Sequence, residues 1–195
     1  MSTKNTRLRV IQGTVVAGAA GLLLAATAMP AAASSAKPVE DVIPALAAAQ
    51  TPADAAPSII DLEALEVDAS ALRSLGSDEV ADYWVARSGN ENVCLVAHVR
   101  GGNEVASSAC VSIADFYQSG LGIVTGESRD TPDRATEAYL IPSDVNVDLV
   151  PHGGEARLSE SVSSQFVATR PGSVDFTRAE IERADGTTFV FSPIP

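Results

Sequence analysis

Asp144, Asn146, Asp148 and Glu155 stand at positions 1, 3, 5 and 12 of a run whose oxygens have the spacing of a calcium loop. Position 6 of such a loop needs glycine for its sharp turn, and here it is Leu149. Val145, Val147 and Leu149 alternate with polar neighbours, which is a strand pattern, and Pro151 breaks the expected helix entry. The strand is therefore expected over the ion site, and no metal or other cofactor is assigned. His98 and His152 are the two histidines available as the general base of a serine hydrolase. No Gly-x-Ser-x-Gly elbow accompanies them. His98 sits in an alternating run and reads as a half-buried structural residue, whereas His152 sits in a Pro-His-Gly-Gly loop and reads as exposed.

Gly120, Gly122 and Gly126 do not have the spacing of a dinucleotide fingerprint and read as a helix cap followed by turns. Trp84 beside Tyr83 reads as core packing in preference to a carbohydrate contact. The two cysteines, Cys94 and Cys110, are expected to pair in an oxidising compartment, the alternative being two free thiols. No catalytic residue is assigned. A non-enzymatic binding domain is the leading expectation, and a hydrolase assembled from scattered residues or a calcium module is the alternative.

The elements that would position these residues are short. Tyr83 to Arg87 and Val93 to Val99 read as strands joined by Ser88-Gly89-Asn90-Glu91. In the second of them Val93, Leu95, Ala97 and Val99 oppose Cys94, Val96 and His98. Val105 to Val111 returns, which would bring Cys110 beside Cys94. Ser112 and Asp115 form a capping pair before a short helix through Phe116 and Tyr117, closed by Gly120. Glu137 to Ile141 reads as a strand stopped by Pro142, and residues 151–164 as loop. Val174 to Arg183 and Thr187 to Ser192 flank Asp185-Gly186, a strong hairpin signal. Residues 59–75 carry spaced apolar side chains that suggest a short helix capped by Asp61 and ended by Gly76. Residues 37–58, with Pro38, Pro44, Pro52 and Pro57 among alanines, read as a linker that buries little. The expected fold is α+β, mostly β: one small antiparallel sheet domain over 59–195 with one or two short helices.

Val67 to Leu75, Cys94-Leu-Val96, Ala106 to Cys110, Asp115 to Ile123 and Glu137 to Pro142 together resemble uncharacterised exported proteins of actinobacteria. The resemblance covers about residues 67–150 and implies no activity.

The N-terminus carries an export signal. Lys4, Arg7 and Arg9 precede an uncharged run from Val10 to Met29, and small residues follow it. Small pairs at Ala26/Ala28, Ala31/Ala33 and Ser34/Ala36 leave the cleavage bond open within a signal peptide of residues 1–36. An uncleaved anchor over 10–29 is the alternative, and in both cases the remaining chain faces outward. Beyond residue 36 there are ten basic and 25 acidic residues, a net charge of −15. Such a surface disfavours nucleic acid, whose binding rests on cations, and anionic lipid. The expected partner is a protein or cell-wall component, with membrane contact only through the N-terminal segment if it stays uncleaved.

Overall fold

Alternating apolar side chains over 81–99 build the centre of the first sheet. The computed structural model describes residues 37–101, 105–126, 135–146, 157–158, 166–169, 178–192 and 194. Strands β1 (Arg73–Ser77), β2 (Ala81–Ser88), β3 (Asn92–Val99) and β4 (Val105–Ser112) lie in the order β1-β2-β3-β4, each pair antiparallel. The period-2 alternation of β3 sends Val93, Leu95, Ala97 and Val99 to one face and Cys94, Val96 and His98 to the other. All seven are buried, so this sheet is covered on both sides.

The second sheet is formed by β5 (Leu121–Gly126), β6 (Ala135–Leu140), β7 (Arg157–Leu158) and β8 (Phe166–Thr169), in the order β5-β6-β8-β7. Its inner face contributes Leu121, Ile123, Ala138, Leu140, Phe166 and Ala168 to the core shared with the first sheet. Its outer face, through Tyr139 and Val167, packs on Ile181, Phe189 and Phe191 of a C-terminal hairpin. That hairpin is β9 (Ala179–Glu182) and β10 (Thr188–Phe191), turning at Asp185-Gly186, where Gly186 has φ 79°. The chain is thus a mostly β, α+β fold of antiparallel sheets with two short helices among the described residues. All described residues belong to one compact unit, 35–195.

Two hydroxyl pairs cross the core between the sheets. Tyr83 donates to Asp78 Oδ2 at 2.9 Å and accepts from Thr136 Oγ1 at 2.6 Å, and Ser107 Oγ meets Thr125 Oγ1 at 2.7 Å. Burial holds the Tyr83 hydroxyl well above its ordinary pKa, so it stays a neutral donor. Helix α2 (Ile113–Ser119) begins as its sequence suggests: Ser112 Oγ accepts from Asp115 N–H at 3.0 Å. It ends at Gly120, whose φ of 72° and contact with Leu140 O leave no room for a side chain.

Four expectations are corrected. Residues 37–58 do not stand off as a linker. Helix α1 (Val39–Val42) puts Val39 and Val42 into the inter-sheet core, followed by Ile43. Ser143 N–H, donating to Val42 O at 2.9 Å, ties this segment to the turn after β6. Residues 59–75 are not a helix. Asp61 caps a single turn through Ala64 N–H at 3.0 Å, and Glu66 then takes φ 58°, which ends the helical path. Residues 73–77 instead join the sheet as β1. Val145 is in a turn closed by its N–H on Pro142 O at 3.0 Å and does not begin a strand, while residues 147–149 of the expected strand lie outside the described residues. Residues 157–158, expected in loop, pair with β8. The expected signal segment, residues 1–36, lies outside the described residues.

Candidate functional site

Residues 57–72 lie as a layer of turns across the outer face of the first sheet. Ile60, Val67 and Leu72 are buried there against Trp84, Ala86, Cys94 and Val96. Backbone hydrogen bonds hold the turns, from Leu65 N–H to Asp61 O at 3.2 Å and from Val67 N–H to Leu62 O at 2.9 Å. Ser108 Oγ on β4 donates to Leu65 O at 3.0 Å and pins the layer to the sheet. At its foot Asp54 accepts from Ser74 N–H at 2.8 Å, Thr51 N–H at 2.6 Å and Thr51 Oγ1 at 2.8 Å. Burial would raise the Asp54 pKa, but these hydrogen bonds, helped by Arg73, hold it below the ordinary carboxylate value.

The cover opens beside Ile59. Ile59 is 65% exposed, the more open of the two exposed large hydrophobic side chains among the described residues. Beneath it a cleft of ≈ 220 Å³ runs between the layer and the sheet. Ile59, Ile60, Leu65, Ala64 and Ala106 form its apolar walls. Exposed Asp61 and buried His98 are its polar residues.

His98 is therefore not a half-buried strand residue at large but part of a cleft wall, 4% exposed. Its Nδ1 is 3.5 Å from Asp82 Oδ2, the residue opposite it on β2. The same carboxylate meets Arg100 Nη1 at 3.3 Å, and Arg100 also donates to Asp78 O. Chemically, the cleft offers an apolar recess, a buried imidazole near a carboxylate, and one exposed acid, Asp61, in its lining.

The other residues singled out from the sequence lie elsewhere. Cys94 and Cys110 face one another in the β3–β4 register and form a disulfide, as the hairpin implied. Cys94 is fully buried under the turn layer while Cys110 is exposed on the edge strand. Asp144, first of the calcium candidates, is held by cations. Lys37 Nζ lies 2.8 Å from its Oδ2, and Arg183 Nε lies 3.5 Å from its Oδ1. Asn146 is exposed after the same turn, and Asp148, Glu155 and His152 lie outside the described residues. Among the described residues no group of three or more His, Cys, Asp or Glu side chains is placed to hold a metal ion.

The pairing at Asp144 is part of a clamp that sequence reading missed. Lys37 Nζ also lies 3.5 Å from Asp185 Oδ2, and the Tyr117 hydroxyl is 2.9 Å from Asp185 Oδ2 and 3.1 Å from Asp144 Oδ2. The buried Arg183 guanidinium stacks 3.6 Å over the Tyr117 ring and donates to Tyr117 O. The clamp joins the start of the described chain, α2, the 143–146 turn and the C-terminal hairpin. The hydrogen bond that Lys37 donates to Asp144 raises the Lys37 pKa, and those that Asp185 accepts from Thr187 and Tyr117 lower that of Asp185. Nothing in sequence spacing links residues 37, 117, 144, 183 and 185. The α1 plug had a weak signal, since Val39, Val42 and Ile43 have the i, i+3, i+4 spacing of one helical face.

No helix among the described residues is long and apolar enough to cross a membrane. No protein-family model, curated protein or solved structure matches the chain.

Proposed function

We propose that this chain is an exported, non-enzymatic domain that works outside the cytoplasm, at the cell envelope, by binding a protein or wall component. The single observation that carries this reading is the open cleft under Ile59. A disulfide-pinned double sheet supports a layer of turns, and that layer leaves a large aliphatic side chain in solvent beside an apolar recess. Recognition surfaces are commonly built this way, on irregular segments positioned by a rigid scaffold. The basic, apolar and small-residue regions of residues 1–36 support the export half of the proposal. So does the resemblance to exported actinobacterial proteins. The test is cross-linking of the oxidised protein in intact native envelopes, read by mass spectrometry. A reproducible partner is the expected result, and recovery of the monomer alone overturns the reading.

One observation favours a second reading, a hydrolase. His98 lies in a cleft wall with its Nδ1 3.5 Å from Asp82 Oδ2, an imidazole–carboxylate pair of the kind a general base uses. Purified protein screened against ester, peptide and glycan substrates, alongside His98→Asn, decides it. Activity lost in the variant supports this reading, and activity unchanged in the variant removes a histidine mechanism.

A further inference from the structure

The cleft under Ile59 has a size and a charge pattern that narrow its occupant. At ≈ 220 Å³ it is smaller than the roughly 300 Å³ at which pockets for drug-sized ligands begin. One side chain fits it better than a whole metabolite. Its apolar walls ask for an aliphatic or aromatic group. The cleft's rim carries Asp61, the same turn layer carries the further exposed acids Glu63, Glu66 and Asp68, and no lysine or arginine occurs from residue 38 to residue 72. Arg100, two residues beyond His98, is already engaged by Asp82 and Asp78 O. We infer that the cleft is a docking site for a basic protein segment, in which one aromatic or aliphatic side chain enters the recess under Ile59 while flanking lysines or arginines face the acidic rim. This deepens the binding function proposed above and rests on it.

The charge complementarity selects the partner class. A second copy of this chain is net acidic and would bring like charge to the same rim. A wall glycan carries no apolar side chain for the recess. A basic segment satisfies both halves of the site, and its attraction weakens with salt because the rim charges are exposed.

The test uses the oxidised protein and three synthetic probes: Lys-Lys-Phe-Lys-Lys, Lys-Lys-Gly-Lys-Lys and Glu-Glu-Phe-Glu-Glu. Ala64→Trp, at an exposed position on the cleft wall, blocks the recess without touching the sheets. Thermal melts confirm that this variant is folded. Burying one phenyl side chain predicts that the basic phenylalanine peptide binds at least about tenfold more tightly than either control. That margin disappears in Ala64→Trp. Equal binding of the phenylalanine and glycine peptides overturns the proposal, since charge alone would then explain the attraction. So does equal binding of the acidic peptide, undiminished binding by Ala64→Trp, or a wild-type self-association by sedimentation that Ala64→Trp abolishes. Repeating the envelope cross-linking with Ala64→Trp separates this proposal from the reading beneath it. A partner retained by the variant overturns docking at the cleft while the binding function stands, and a partner lost with the variant supports both.

Discussion

Two Pro- and Ala-containing stretches, 37–47 and 57–72, have similar compositions and opposite fates. The first packs between the two sheets, with Val39, Val42 and Ile43 buried in the main core and Leu46 partly buried against it. The second spreads over the outer face of the first sheet, buries Ile60, Val67 and Leu72, and leaves Ile59 in solvent. Irregular segments of this kind have too little periodicity to announce a face. What they bury is decided by which apolar surface the strands leave uncovered. The first stretch is therefore structural, whereas the second is both a cover and a surface.

The comparison can be broken most severely at the plug. Val42→Asp places a carboxylate in the inter-sheet core and is expected to cost about 3–5 kcal/mol, enough to unfold a domain of marginal stability. Urea titration reads this directly. A neutral result would return 37–47 to the status of a spacer.

Removing the disulfide comes next. The Cys94→Ala, Cys110→Ala double variant should lose about 3 kcal/mol, the chain-entropy cost of closing a loop of this length. Of the two cysteines, Cys110 is the one on the exposed side, the side from which an external thiol would approach. The departing Cys94 thiolate, however, would form in a buried apolar site, which disfavours it. Thiol titration followed by alkylation should therefore show reduction only along with unfolding. Cysteines alkylated in a protein that still melts cooperatively would contradict this.

A smaller effect sharpens the anchoring of the cover. Asp54→Asn weakens the acceptor shared by Thr51 and Ser74 and should cost about 1–2 kcal/mol at neutral pH. The Asp54 pKa is depressed in the folded state. Its contribution is therefore present above the unfolded value near ~3.9 and is lost as pH falls through the folded value. Chemical denaturation across pH should show wild type and variant separated at neutral pH and converging in acid. A gap that persists in strong acid would mean that Asp54 acts through something other than its charge. The smallest effect on stability is expected at the exposed residue of the cover. Ile59→Ser should leave the melting transition within about 0.5 kcal/mol of wild type, so a loss of peptide binding there would be a property of the cleft.

The sequence by itself determined the elements whose patterns are local. The alternation of Val93 to Val99 settled which side chains share a face, because a strand sends successive residues to opposite faces. Ser112, Asp115 and Gly120 bounded α2 through caps that involve only near neighbours. Asp185-Gly186 placed the C-terminal hairpin, and the returning strand after residue 104 put Cys110 opposite Cys94. Only the tertiary structure decided what depends on contacts between distant residues. It buried Val39, Val42 and Ile43 in the core, paired Asp144 with Lys37, and set His98 beside Asp82 in a cleft roofed by residue 59. The physical reason is the same in each case. Burial and ion pairing are settled by which surfaces meet when two sheets stack, and neither composition nor spacing along the chain records that meeting.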